Sequence, residues 1–407
     1  MPGTCSLLAS CNTLLPVSKP NRLQLALQIA VLTLARLFIN TGIRMAYPFL
    51  PELARGLGTT DQAVARLVSI RSFAGVLSPL FSPFSERYGR RAALSLSVAL
   101  FSLGCLLVAV WPLYWVLGLT LIAIGIGKVI FDPAMQAYLG DIVPYHQRGR
   151  AISVTELSWA GAFFIGVPAV AFAIAGWGWQ APFLGLGLLG LGSLVLLWWV
   201  LPPARNHSSQ LKGFASLLPT IRQHPVMLAA AAYVMLAMGA NEILLIVYGR
   251  WMESSFGLDL GALGLATTVI GAAEIVGEIV TALAVDRIGK RRFIIVFGSM
   301  TALMYFLTPF TSVSLTAALV TLFVLFLCFE MTVVGGIPLM TELVPSARSV
   351  VMSVVLAASS LGRAVGALAG PVIWDWAGFQ WLGVVAAVVM ALSVLILILW
   401  VREGHEH

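Results

Sequence analysis

The chain predicts an all-α integral membrane protein of twelve transmembrane helices, built as two pseudo-symmetric six-helix bundles. Three observations predict it. Hydrophobic residues make up 59% of the 407 residues and charged residues 10%, where a soluble domain carries roughly 25% charged; the mean hydropathy is +0.96. The apolar residues gather in runs long enough to cross a bilayer, for which about 20 suffice. The chain also repeats. Glu86-Arg87-Tyr88-Gly89-Arg90-Arg91 and Asp286-Arg287-Ile288-Gly289-Lys290-Arg291 share one pattern at an offset of 200 residues. Asn40 and Asn241, Tyr47 and Tyr248, Glu52 and Glu253, and Asp141 and Glu342 recur at an offset of 201. Duplication on this scale in an apolar chain is the mark of a membrane protein made of two related halves.

The spans are expected at 23–48, 62–84, 92–111, 113–139, 151–175, 181–201, 225–250, 261–285, 292–311, 315–340, 349–373 and 378–401. They must be helices, because backbone groups in hydrocarbon have to bond within their own segment and barrel strands would alternate apolar with polar. The one polar stretch of linker length is 202–223, with Pro203, Arg205, His207, Ser208 and Lys212. It separates an N-terminal bundle, 23–201, from a C-terminal bundle, 224–401, with short tails at 1–22 and 402–407.

The formal charge of +7 does not point to nucleic acid, because Lys and Arg collect in short loops between apolar runs. One set of loops holds Arg87, Arg90, Arg91, Arg148, Arg150, Arg205, Lys212, Arg222, Arg287, Lys290, Arg291, Arg292 and Arg348; the opposite set holds only Arg55 and Arg250. That bias places both termini in the cytoplasm of a cell that keeps the protein in its inner or plasma membrane. Cys105 and Cys328 fall within spans, and Cys5 and Cys11 in the tail, so neither a disulfide nor a zinc site is expected. Leu8-Ala9-Ser10-Cys11 looks like a lipoprotein cleavage site, but no basic region or long apolar run precedes it, so a short tail is the better reading. All five histidines, His146, His207, His224, His405 and His407, lie in loops or tails. With no phosphate-cradling glycine loop and no Ser-His-Asp set, neither an enzyme nor an ATP-driven pump is expected, and no cofactor or metal.

Each repeated hairpin has a mechanical reading. Gly89 and Gly289 let the chain reverse tightly, the basic residues stay in water or at headgroups, and Glu86 and Asp286 face helix N-termini. The hairpins resemble the signature loop of the major facilitator superfamily, Gly-x-x-x-Asp-Arg-x-Gly-Arg-Arg, with Ser82 and Glu86 departing in the first copy and Ala282 in the second. Asp141-x-x-Pro144-x-x-x-Arg148-Gly149-Arg150 resembles that family's loop after span four. The resemblance implies that Asp141 pairs with Arg87 or Arg90, and Glu342 near Arg287, to lock an inner gate in the outward-open state. Gly362-x-x-x-Gly366-x-x-x-Gly370-Pro371 resembles the family's glycine-rich antiporter motif, displaced from span five, which offers only Gly161, Gly166 and Pro168. The family's span-four arginine has no counterpart; Lys128 lies in that region.

Charges at bilayer depth are costly, so each needs a reason. The spans hold Arg36, Arg71, Lys128, Asp132, Glu156, Glu242, Glu274, Glu278, Glu330 and Arg363. Lys128 lies 13 residues before Asp141, and Glu330 lies 12 before Glu342. At 1.5 Å per residue both sit about 20 Å from the loop face, near the midplane of a ~30 Å core. Arg36, Asn40, Arg44 and Tyr47 share one face of span one, expected to line a central cavity. Glu274 and Glu278, one turn apart, are not expected to be ionised together in low dielectric. The expected cavity residues are therefore Arg36, Asn40, Arg71, Lys128, Asp132, Asn241 and Arg363. Proton coupling is expected of Glu242, Glu274, Glu278 and Glu330. The expected gate is Glu86, Arg87, Gly89, Arg90, Asp141, Arg148, Glu156, Asp286, Arg287, Gly289 and Glu342.

The halves differ in sign, which suggests N-half cations gripping an anionic or zwitterionic substrate and C-half carboxylates carrying protons. Against this stand static pairs, Arg363 with Glu330 and Lys128 with Asp132, and a loop arginine as the partner of Glu156. Arg44 and Arg66 are placed as side chains that snorkel outward. The tryptophans, including the Gly-Trp-Gly-Trp run at 176–179, read as interfacial anchors. Gly185, Gly187 and Gly190 read as close helix packing. The function expected is a secondary active transporter, self-sufficient as a monomer in the bilayer. It exchanges protons for a small amphiphilic or drug-like solute, or, alternatively, flips a lipid-like substrate through a laterally open cavity. A membrane receptor or scaffold on the same fold is the competitor from another class.

Overall fold

Span 1 begins on a capping box. Asn21 accepts from the backbone N–H of Gln24 at 2.8 Å and Gln24 returns the bond to the Asn21 N–H at 3.1 Å, which satisfies donors that a helix start leaves open. The computed structural model describes residues 21–77, 85, 87–202 and 217–401. The tail with Cys11, the end of span 2 with Ser82, the hairpin carboxylate Glu86 and most of the 202–223 stretch lie outside those residues.

Every regular element among the described residues is helical. Span 1 is Arg22–Arg44 followed, after a break, by Leu50–Gly56; span 2 starts at Asp61–Phe73 and tightens over Ala74–Leu77. Spans 3 and 4 are Arg90–Val110 and Tyr114–Ile142. Span 5 runs Tyr145–Gly161, a π-helical turn Ala162–Gly166, then Val167–Trp177; span 6 is Ala181–Val200. Span 7 is Val226–Leu245 and Tyr248–Phe256, and spans 8, 9 and 10 are Leu260–Ile288, Lys290–Leu307 and Leu315–Glu342. Arg348–Trp400 is broken at Gly378, giving span 11 over 348–377 and span 12 over 379–400. Spans 1–6 form one half and 7–12 the other.

The repeat in the sequence is a repeat in backbone geometry. Among the described residues the positive-φ glycines are Gly58 and Gly257 (both φ +62°), Gly89 (+87°) and Gly289 (+91°), and Gly178 (+84°) and Gly378 (+80°). Each pair is separated by 199 or 200 residues, and each marks a chain reversal between neighbouring spans. Spans 1 and 7 are interrupted at matching places, Met45–Phe49 and Ile246–Val247. The second basic residue of each hairpin does the same work twice. Arg91 donates to the Trp198 carbonyl at 2.5 Å, and Arg291 donates to Val401 and Ile398 carbonyls at 2.9 and 2.7 Å. Each guanidinium thus satisfies terminal carbonyls of the last helix in its own half, where a cation also suits the helix dipole.

Within the halves, glycines set the spacing of helices. A Cβ on Gly362, Gly366 or Gly370 would stand 2.1 to 2.7 Å from the Met235, Gly239 and Ile243 carbonyl oxygens, so span 11 lies backbone to backbone on span 7. This is the glycine stripe that resembles the antiporter motif. A Cβ on Gly166 would stand 2.1 Å from the Thr41 hydroxyl, so span 5 lies close on span 1. Gly187 and Gly190 do pack closely, on Leu106 and Ser102, whereas Gly185 faces open space.

Between the halves, contact runs from the end opposite the hairpins, here the far end, to mid-depth. A Cβ on Gly249 would meet the Pro48 carbonyl oxygen at 1.9 Å, and one on Gly75 the Ser360 hydroxyl at 2.1 Å. Gly264 and Gly271 of span 8 press on Ala171 and Phe164 of span 5. Polar ties surround this seal. Ser69 donates to the Ala364 carbonyl at 2.7 Å, Arg55 pairs with Glu253 at 2.6 Å, Arg250 approaches Asp61 at 3.8 Å, and Gln62 donates to Asp375 at 2.8 Å.

Gly289→Ala tests the hairpin. No atom stands within 4 Å of the added Cβ, so the cost is conformational alone, about 1–3 kcal/mol. Thermal unfolding in detergent should fall by several degrees. Gly140→Ala, equally uncrowded but helical, should hold or raise the midpoint.

Candidate functional site: a central chamber between the halves

A cavity of about 700 Å³ lies between the two halves, a size that suits a drug-like solute. Its N-half wall is Arg44, Tyr47, Ile152, Ser153, Val154, Glu156, Leu157 and Trp159; its C-half wall includes Asn241, Glu274, Glu278, Val285, Phe329, Glu330 and Arg363. The polar members come from the middle of spans 1, 5, 7, 8, 10 and 11. The apolar members continue towards the hairpin end, where Ser153, Val154, Ile279, Ala282 and Ile337 are solvent- or lipid-exposed. The chamber is therefore closed at the far end by the seal described above and open towards the hairpin end.

At its floor Arg44 and Glu274 join the halves. The Arg44 guanidinium donates through both terminal nitrogens to the two Glu274 carboxylate oxygens, and also to the Trp159 carbonyl at 2.9 Å. Its carbon lies 3.5 Å from the Phe163 ring centre and 4.3 Å from that of Trp159. Arg44 is 2% exposed, so it does not snorkel outward; a bidentate carboxylate and two aromatic faces surround its guanidinium in place of water. Trp159 likewise is no interfacial anchor. Lys128 and Arg363 stand 5.6 and 5.8 Å from its ring, so three cations converge on one indole.

Arg36 and Lys128 are neutralised inside their own half. Arg36 pairs with Asp132 at 3.0 Å and Glu156 at 2.8 Å and donates to the Thr155 carbonyl at 3.0 Å; Lys128 pairs with Asp132 at 2.9 Å. The expected division of labour, free N-half cations facing C-half acids, does not hold here, since Arg36 pairs with carboxylates of spans 4 and 5 and Lys128 with Asp132 one turn along its own helix. Glu156, expected at the gate beside a loop arginine, is instead a cavity-wall residue held by span 1. The helical rise from Arg150 carries it away from the loop. Arg363 pairs with Glu242 at 3.4 Å and not with Glu330, because span 11 packs on span 7.

The expected residues thus separate into layers. Asn241, Arg363, Glu156, Glu274, Glu278 and Glu330 line the chamber. Arg36, Asn40, Arg71, Lys128, Asp132 and Glu242 stand behind them. Asn40 donates to Ser158 at 3.2 Å, and Arg71 donates to the Ile43 carbonyl and the Tyr47 hydroxyl at 2.8 and 3.0 Å. Tyr305 holds Asn241 at 3.1 Å. Glu278 and Glu330 make no hydrogen bond or ion pair with another described residue, yet Glu330 is only 7% exposed. Arg44, Tyr47 and Trp159 complete the chamber. The helical face shared by Arg36, Asn40, Arg44 and Tyr47 was the signal for the first two; nothing in the sequence separates Trp159 from eleven other tryptophans.

At the hairpin end, Arg90 approaches Asp141 at 3.6 Å and Lys290 pairs with Glu342 at 2.5 Å. Glu342 therefore meets Lys290 rather than Arg287, because Arg287 lies before the glycine reversal and Lys290 after it, at the start of span 9. Both pairs lie within one half. Arg148 donates to the Val143 carbonyl at 3.1 Å, closing the end of span 4. Arg87, Asp286 and Arg287 are exposed.

Known proteins share this fold. The family model of the Major Facilitator Superfamily matches residues 32–250 and 230–407. The chain is 25% identical over 408 residues to a probable sugar efflux transporter of Pasteurella multocida, covering 96% of each. It is 22% identical over 361 residues to multidrug resistance protein 2 of Bacillus subtilis, covering 85% of this chain and 89% of that one. Among solved structures, a D-xylose-proton symporter superposes with a TM-score of 0.75 at 18% identity, covering 92% of this chain and 97% of that one. A bacterial homologue of the human lysosomal transporter Spinster, in an inward-facing and occupied conformation, gives 0.75 at 14% identity, covering 92% and 96%. The structural likenesses carry the fold, and the family match spans both halves. The chain belongs to the Major Facilitator Superfamily and is a multi-pass membrane transporter.

Proposed function

We propose that this transporter is a proton-coupled antiporter that expels an amphiphilic, drug-like solute by alternating access, and that the chamber is seen here open to the cytoplasm. One observation carries the reading. A single interface between the halves is sealed at the far end and parted at the end where Lys and Arg accumulate, which the charge bias assigns to the inner face. Rocking one half on the other would reverse that pattern around a fixed site at mid-depth. Glu278 and Glu330 support the proton half of the exchange, since a carboxylate held in an apolar wall without a cation is a proton site by default. The apolar walls of spans 5, 8 and 10 suit the hydrophobic part of the solute. The Arg90–Asp141 and Lys290–Glu342 pairs would hold each hairpin to its own half and let it move as one body.

A second reading, a lipid-like substrate entering sideways, is favoured by the rim itself. Val154, Leu157 and Ile279 line the cavity and are 44 to 54% exposed on the bundle surface.

Reconstitution in liposomes with an imposed pH gradient tests the exchange. Glu330→Gln and Glu278→Gln should each cut gradient-driven transport by about tenfold or more while leaving substrate–substrate exchange measurable. Undiminished gradient dependence in the double variant would remove proton coupling through these residues. Gradient-driven scrambling of a dye-labelled lipid would favour the second reading. Arg44→Ala should destabilise the protein by about 3–5 kcal/mol, because Glu274 is left buried and alone, whereas Arg44→Met with Glu274→Leu should cost far less. Denaturation midpoints in detergent read that difference.

A further inference from the structure

The far-end seal has a crevice in it. A cavity of about 570 Å³ lies there, a size within the range of small-molecule sites, and a smaller one of about 320 Å³ adjoins it. Both are lined by Pro51, Arg55 and Glu253, so the Arg55–Glu253 tie divides one crevice into two rooms. The larger room is separate from the chamber, and among the described residues none lines both. The partition is thin. Pro48 lines the crevice and Tyr47, one residue earlier, lines the chamber, at the place where Gly249 packs on the Pro48 carbonyl.

The walls of the larger room come from both halves. Phe172 and Ala175 of span 5 form part of one, and Leu258, Leu260 and Leu263 at the start of span 8 form part of the other. Phe172 is 58% exposed, so the room also opens on the bundle surface. Its rim is charged. Glu52, Glu253 and Asp259 stand there with Arg55, and Asp61 and Arg250 line the smaller room. Both guanidiniums are occupied, Arg55 by Glu52 and Glu253 at 2.8 and 2.6 Å and Arg250 by Asp375 at 2.7 Å. Asp259 caps span 8 by accepting from the Ala262 N–H at 2.7 Å and pairs with no cation among the described residues. An anion would have to displace a carboxylate from an arginine; a cation would not.

We propose that this crevice is a second ligand site, distinct from the chamber, which takes a small amphiphilic monocation and, when filled, holds the far end shut. The apolar body lies against Phe172, Leu260 and Leu263, and the charged end meets Asp259 and Glu52. The two walls face one ligand only while the far end is closed, because parting the halves carries one wall away from the other. A ligand that binds one state better shifts the population by that difference in affinity and no more. The occupant therefore blocks transport from the far side without competing for the chamber. The holding effect rests on the alternating-access reading, whereas the site itself does not.

Two thiols test it, each in a full-length chain whose Cys5 and Cys11 are replaced by serine. Ala175→Cys reports on the crevice and Ala282→Cys on the chamber wall; both positions are exposed. Labelling by a hydrophilic maleimide is followed in detergent at neutral pH with 1-naphthylmethylammonium, 1-naphthylmethanol or 1-naphthoate, which share a ring system and differ in charge. The ammonium should protect Ala175→Cys at roughly tenfold lower concentration than either of the others, and it should speed the labelling of Ala282→Cys. Asp259→Asn with Glu52→Gln leaves a capping side chain and the Arg55–Glu253 tie in place, and it should erase the preference for the ammonium. No protection of Ala175→Cys, equal protection by naphthoate, or a preference that survives both substitutions overturns the site. Protection of Ala175→Cys with slower labelling of Ala282→Cys overturns the proposal too, since the ligand would then be filling or closing the chamber. Protection with an unchanged rate at Ala282→Cys removes the holding effect and leaves the site.

Discussion

An ionised side chain inside an apolar slab must find opposite charge close by, and this fold is arranged around that requirement. Arg44 is the clearest case. Its guanidinium is taken from water, laid across Phe163 and Trp159, and joined to Glu274 of the other half. The bond does two things at once: it neutralises both ions and it fixes spans 1 and 8 against each other at mid-depth. The same requirement draws Arg36 to Asp132 and Glu156, and Arg363 to Glu242. Charge pairing thus joins close glycine packing in holding particular helices together near the midplane, where apolar contacts between helices and contacts with lipid are nearly equivalent.

Under the proposed alternating access, pairing also carries an energetic consequence. A pair inside one half travels with it and costs nothing during rocking. A pair between halves must be broken or kept, so Arg44–Glu274 and the far-end ties at Arg55 and Arg250 are the contacts that distinguish one state from the other. The two hairpin pairs fall in the first class. That is why they are present while the hairpin end stands open, and why the outward-open lock implied by family resemblance is not what these two pairs form in this state.

Much of the fold was legible in the sequence because it is dictated by period and repetition. Twelve apolar runs and a 200-residue offset are enough to require paired six-helix halves, and Gly89 and Gly289 announce their reversals through the motif around them. The breaks at Met45–Phe49 and Ile246–Val247 were not legible, since only Pro48 hints at one of them and the other depends on close contact with it. The site was legible as a set of costly charges but not as a set of partners. Arg44, Glu156 and Arg363 change role with the rotation and neighbour of their helices, which spacing along one chain does not specify. Trp159 could not be singled out at all, because a tryptophan at a chamber wall and one at a headgroup look alike in composition.

The far-end seal has a property that follows from the glycines within it. Where Gly249 meets Pro48 and Gly271 meets Phe164, the touching surfaces are smooth main chain rather than meshed side chains. Smooth faces can part by a slight tilt, with no rotamer to be withdrawn and no knob to be pulled from its hole. Much of the far-end closure therefore behaves as a pair of plates held at the edges by a few charges, and those edge charges, more than the plates, would govern how often it opens.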